Sequence, residues 1–162
     1  MLESYSTGTF ISEELFSQLG RQGTDTQVMI RTMNGPRLHE STLVTGLVVS
    51  DLNGGKPIEL PKTFVRDKIP GSEQIPHPKS FHKWTHLRRV IDQLTPPIQN
   101  TKAGLLVGTN CPEAVEPKDF VASQSGGPFA VLTFARWTVV GLLCMSNNAP
   151  EIDCNRIIVR KN

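Results

Sequence analysis

Apolar residues fall at Leu15, Phe16 and Leu19, a spacing of three to four, behind Ser12 and the acidic pair Glu13-Glu14 and ahead of Gly20. A hydroxyl N-cap, carboxylates in the first turn and a glycine stop predict a short helix. Beyond it the apolar period shortens to two. Residues 27–32 and 41–50 are rich in β-branched side chains and alternate, and Met33-Asn34-Gly35-Pro36 between them has the composition of a turn. Two strands around a turn are predicted. A second turn at Asp51-Leu52-Asn53-Gly54-Gly55 makes 47–60 a second hairpin, with Asn-Gly supplying the positive φ angles of a tight turn.

Between 61 and 101 the pattern breaks down. Pro61, Pro70, Pro76, Pro78, Pro96 and Pro97 interrupt every period and leave room for one brief helix at 84–94. Structureless loops of that length are uncommon inside compact domains, so 61–101 reads as a Pro-rich insertion. Regular structure resumes at Gly104-Leu105-Leu106-Val107-Gly108, an apolar strand ending in glycine. Asn110 is placed to cap a short helix with Pro112 in its first turn. Residues 129–143 read as paired strands broken near Arg136-Trp137. The organisation predicted is one domain over 1–144 and a polar, loose tail over 145–162.

Composition narrows the partners. Charged residues make up 20% of the 162 positions and the formal net charge is +2, without blocks of like charge, so neither nucleic acid nor a membrane surface is an expected partner. The apolar run 137–145 falls well short of the roughly 18 residues a membrane span needs. The three cysteines, Cys111, Cys144 and Cys154, are odd in number and lack C-x-x-C spacing. A disulfide framework and a zinc cage are therefore not expected, and a reducing, cytoplasmic compartment is.

Individual reactive residues point weakly. His82 and His86 stand four apart and on a helix would share a face as metal ligands, but H-E-x-x-H and a third ligand are missing. Surface histidines are the better reading, and no metal or other cofactor is expected. Cys111 has no neighbouring histidine base, which favours a buried small side chain over a nucleophile. Trp84 and Trp137 read as core or interface residues, and Arg88-Arg89 as a solvated helix face.

A wider pattern joins these segments. Met1-Leu2-Glu3-Ser4-Tyr5-Ser6 is followed by Phe10-Ile11, and Leu106-Val107-Gly108-Thr109-Asn110 comes much later. Further along are Cys111-Pro112-Glu113-Ala114, Gly127-Pro128-Phe129-Ala130 and Arg136-Trp137-Thr138-Val139-Val140-Gly141. In this order they resemble the retropepsin-like aspartic peptidase domain of Pao/BEL-type retrotransposon polyproteins, whose opening motif runs L-L-D-S-G-S and then F-I. The resemblance spans nearly the whole chain.

It implies an all-β fold with short helices, a retropepsin-like closed barrel that dimerises. Each copy would offer one carboxylate to a shared site that cleaves a peptide or polyprotein substrate. Two carboxylates about 3 Å apart cannot both ionise, so one activates water while the other protonates the substrate. Glu3 holds the position of the family aspartate, with Ser4 and Ser6 as hydroxyls that steady it. Met33, Asn34 and Gly35 are expected at the tip of a substrate-covering flap, and Leu106, Val107 and Gly108 beneath the active loop. Two departures weaken the chemistry: Glu3 is one methylene longer than aspartate, and Tyr5 stands where glycine lets two loops meet. Met1 also lies two residues before Glu3, so the strand leading into that loop is expected to be absent from the chain. The alternative is a non-catalytic dimerisation or peptide-binding module, in which the groove beneath the flap pairs with extended peptides.

Overall fold

A computed structural model of the chain describes residues 6–32, 34–51, 54–69, 78–94, 102–141 and 158–160. Among them the fold is all-β with a few short helices. The strands are β1 (Thr9–Ser12), β2 (Thr24–Thr32), β3 (Gly35–Val44), β4 (Val48–Val49), β5 (Ile58–Glu59), β6 (Thr63–Arg66), β7 (Leu105–Leu106), β8 (Asp119–Val121), β9 (Phe129–Leu132), β10 (Trp137–Val140) and β11 (Ile158–Arg160). The helices are α1 (Glu13–Leu19), α2 (Arg88–Ile91) and α3 (Pro112–Val115), with 3₁₀ turns at Pro78–Phe81 and Thr85–Leu87.

Helix α1 forms as its sequence dictates: the Ser12 hydroxyl accepts from the Leu15 N–H at 3.2 Å, and Gly20 ends the helix at φ +59°. The first hairpin is longer than the alternation suggested. β2 begins at Thr24 and β3 already at Gly35, and β3 stops at Val44, not at Ser50. Gly46, at φ +71°, breaks the run, and the second hairpin starts afresh with Val48 opposite Glu59. Pro36 is tolerated inside β3 because at its level, among the described residues, the strand has a neighbour on one side only.

Six strands form one sheet in the order β11-β2-β3-β6-β1-β7; β8, β9 and β10 form a second, and β4 with β5 a third. This corrects the closed barrel expected from the resemblance. Among the described residues β7 and β11 are free edges of an open sheet, because β7 is only two residues long and β8–β10 pair with one another and do not bridge the gap. β1 and β6 run parallel, Thr9 beside Thr63 and Phe10 beside Phe64. Strand β6 thus lies inside the stretch read as a Pro-rich excursion yet sits in mid-sheet. The short helix at 84–94 is present as a 3₁₀ turn running into α2. Ile158–Arg160, in the stretch read as a loose tail, pair antiparallel with β2.

Three apolar clusters hold these layers. Ile11, Val44, Leu47, Ile58, Leu60, Val107, Cys111 and Ala114 fill the space between one sheet face, the small hairpin and α3. Phe10, Val28, Ile30, Ile69 and Leu106 cover the opposite sheet face. Phe81, Leu87, Val90, Ile91, Val121, Ala130 and Trp137 join α2 to the three-stranded sheet. No helix among the described residues is long and apolar enough to cross a membrane.

Candidate functional site

The turn leading into β1 is built from small residues because two backbones meet there. Ser6 is fully buried; its hydroxyl donates to the Gly8 carbonyl at 2.8 Å and accepts from the Gly8 N–H at 3.3 Å. Against this turn lies Gly108, where a methyl group would overlap the Gly8 carbonyl oxygen and sit 2.7 Å from that of Ser6. Glycine is required by the close approach. The Thr109 N–H and hydroxyl both donate to the Ser6 carbonyl, at 2.8 and 3.2 Å. Buried Thr9 donates its hydroxyl to Asn110 Oδ1 at 2.8 Å and accepts from the Gly108 N–H at 3.4 Å. Two segments about a hundred residues apart are thereby locked with their polar groups paired.

Of the residues singled out in the sequence, the structure brings Ser6 and Gly108 together. Val107 anchors the segment in the core below, and Leu106 pairs with Phe10 and points to the other sheet face. Asn34 and Gly35 lie at the exposed tip of the first hairpin, where the Asn34 N–H donates to the Thr32 hydroxyl and Gly35 adopts φ +92°. The ten residues of β3 separate this tip from the end of the strand that meets β6, roughly 30 Å of extended chain. Tip and turn share no hydrogen bond among the described residues. Glu3, Ser4, Tyr5 and Met33 lie outside the described residues.

The hydrogen bond between Thr9 and Asn110 is the pairing that sequence reasoning missed. Asn110 was expected to cap α3, but the cap position belongs to Cys111, and Asn110 is turned toward β1. The signal available was the hydroxyl and glycine content shared by Ser6-Thr7-Gly8-Thr9 and Gly108-Thr109-Asn110. Cys111 is 5% exposed, and burial pushes its thiol up, aided by nearby Glu113 and opposed by a backbone hydrogen bond at Ala114. A protonated, enclosed thiol is a poor nucleophile.

His82 is exposed, while His86 Nε2 lies 2.8 Å from the Pro128 carbonyl oxygen on a 3₁₀ turn. No group of three metal-ligating side chains occurs among the described residues. Arg89, expected on a solvated face, bonds the Phe120 carbonyl at 3.0 Å, lies 3.7 Å from Asp119 and covers the Trp137 ring at 5.7 Å. A cleft of about 260 Å³ opens between Asp51, Lys56, Glu113, Glu116 and Lys118. No residue of the Ser6–Thr9 turn lines it. Comparison of the chain with family descriptions, with curated proteins and with solved structures found no match in any of the three.

Proposed function

We propose that the chain is an aspartic-endopeptidase-like domain of retroelement origin, with Glu3 in the position of the catalytic aspartate. The observation that carries this reading is the locked pair of backbones at Ser6–Thr9 and Gly108–Asn110. A carboxylate loop needs a rigid platform, since a displacement of about 1 Å in a reacting group costs about a hundredfold in rate. The Ser6 turn follows directly on the loop that the resemblance assigns to catalysis, and every polar atom named in it is held. In the proposed homodimer two Glu3 carboxylates share a proton; one draws a proton from water as the water attacks the peptide carbonyl, and the other protonates the leaving amine.

The longer Glu3 side chain and the bulky Tyr5 weaken that chemistry. Peptide-library cleavage near about pH 5 tests the reading. The restored chain, Glu3→Asp with Tyr5→Gly, is expected to cleave at least about a hundredfold faster than the chain as it stands, and Glu3→Gln is expected to be silent. A restored chain that is folded, dimeric and inert would sink the proposal.

One observation favours a second reading, peptide binding without hydrolysis. β3 pairs with β6 through the backbone at Leu43 and Val44 and reaches it once more through the Ser41 hydroxyl, so among the described residues the stretch 35–40 has β2 alone beside it and leaves its other backbone edge open. An open edge accepts an extended peptide as an added strand. Under this reading, peptide affinity is unchanged in Glu3→Gln.

A further inference from the structure

The sheet face that carries Phe10, Val28, Ile30 and Leu106 also carries basic side chains. Residues paired across strands share a face, so the register puts His39 beside Val28, Arg37 beside Ile30, and Arg66 beside Ser12 at the end of β6. The Ser41 hydroxyl donates to the Val65 carbonyl at 2.8 Å, which keeps β3 and β6 side by side as far as Arg66. His39 stands one pleat beyond that level, about 7 Å along β3, and Arg37 one pleat further. No Asp or Glu of β1, β2, β3 or β6 shares this face. Asp25 and Glu40 lie on the opposite one, where Glu40 accepts from Gln27 at 2.6 Å.

Arg66 is incompletely paired. Its side chain is 28% exposed, its Nη1 is buried, and that nitrogen has no acceptor among the described residues. The nearest carboxylate, on Asp67, is 80% exposed and reaches only Nε, at 4.0 Å. A buried guanidinium N–H without an acceptor is unfavourable, which leaves the Arg66 charge poorly compensated, and the part of the guanidinium that stays exposed is where a carboxylate can pair with the planar fork.

We propose that Arg66, with His39 and Arg37 leading up to it, binds the C-terminal carboxylate of an extended peptide laid along the edge of β3 that is open among the described residues. β3 runs from Gly35 toward the level of Arg66, so a peptide strand parallel to it ends with its carboxylate against that guanidinium. The inference goes beyond the peptidase reading and needs nothing from Glu3. Binding that persists in Glu3→Gln therefore separates its fate from that of cleavage.

The test uses the full chain and two probes, acetyl-Thr-Val-Thr-Val as the free acid and the same peptide as its C-terminal amide, with binding followed by amide shifts of β3 and β6. The acid is expected to bind about tenfold more tightly than the amide, the size of a charge-assisted pair. That advantage is expected to vanish in Arg66→Gln. Should Arg66→Gln fail to fold, Arg66→Lys keeps the charge and loses the fork, and the advantage must fall there as well. Equal affinity for acid and amide, an advantage untouched by both Arg66 variants, or no binding of either peptide would overturn the proposal. So would tighter binding of inorganic phosphate than of the acid, which would make the site a general anion trap.

Discussion

At the scale of the residue, Gly108 carries the sharpest consequence. Replacing glycine by alanine normally stabilises a protein by about 0.4–1 kcal/mol where the backbone permits it, because the unfolded chain loses freedom. Here the added methyl meets the backbone carbonyls of Gly8 and Ser6, which cannot swing aside as a side chain would. Gly108→Ala is expected to destabilise by about 1–3 kcal/mol, read from the urea midpoint; a stabilised variant would show that the two segments are not in contact. Cys111 gives a prediction with a pH sign. Burial raises its thiol, so the folded chain holds this proton more tightly than the unfolded chain. Below about pH 8 both forms are protonated and nothing changes, whereas above the free thiol's range, about 8.5, the unfolded chain ionises first and stability falls. The difference in Tm between the chain and Cys111→Ala should therefore hold steady from about pH 7 to about pH 8 and shift against the cysteine by about pH 10. The apolar run closing in Gly108 was legible as the end of a strand, but the backbone that approaches this glycine was not, because the local pattern does not name a partner segment about a hundred residues away. Nor was the Thr9–Asn110 bond, since a partner 101 residues away leaves no local period.

At the scale of the element, local signals worked where local physics decides. Ser12, Glu13, Glu14 and Gly20 each serve in α1 the end that their chemistry suits. The helix has only seven residues and no fully buried side chain, so its cap matters more than it would in a long helix. Ser12→Ala is expected to cost about 1 kcal/mol, with the amide of Leu15 losing hydrogen-exchange protection before its neighbours do. An unchanged Leu15 amide would show that the cap bond contributes nothing. Strands β6, β8 and β11 were illegible for a shared reason: each is three or four residues long and set among prolines, turns or polar residues. Their pairing comes from the sheet and not from their own alternation. The same holds for the barrel. Alternation tells which face of a strand is buried but not whether the last strand finds the first, and here β7 and β11 are both left as edges among the described residues.

At the scale of the whole molecule, the core is divided. Two apolar clusters share the six-stranded sheet as floor and ceiling, through Ile11 and Val44 on one face and Phe10 and Val28 on the other. The third draws every one of its buried members from the 3₁₀ and helical stretch 81–91 and from β8, β9 and β10. Arg89 reinforces that unit from outside, tying α2 to β8 through the Phe120 carbonyl and to β10 through the Trp137 ring. Cooperative opening follows buried apolar contacts, so this unit should open without the six-stranded sheet. Leu87, with no exposed surface, sits at its centre. Leu87→Ala removes about 2–5 kcal/mol of packing there. Native-state hydrogen exchange is expected to show protection falling across 85–94 and 119–140 while β1, β2 and β3 keep theirs. Uniform loss across both units would mean one cooperative body. That outcome would also tie the platform at Ser6 and Gly108 to the packing of Trp137, whereas independent opening would leave the candidate site intact when the second unit is loosened.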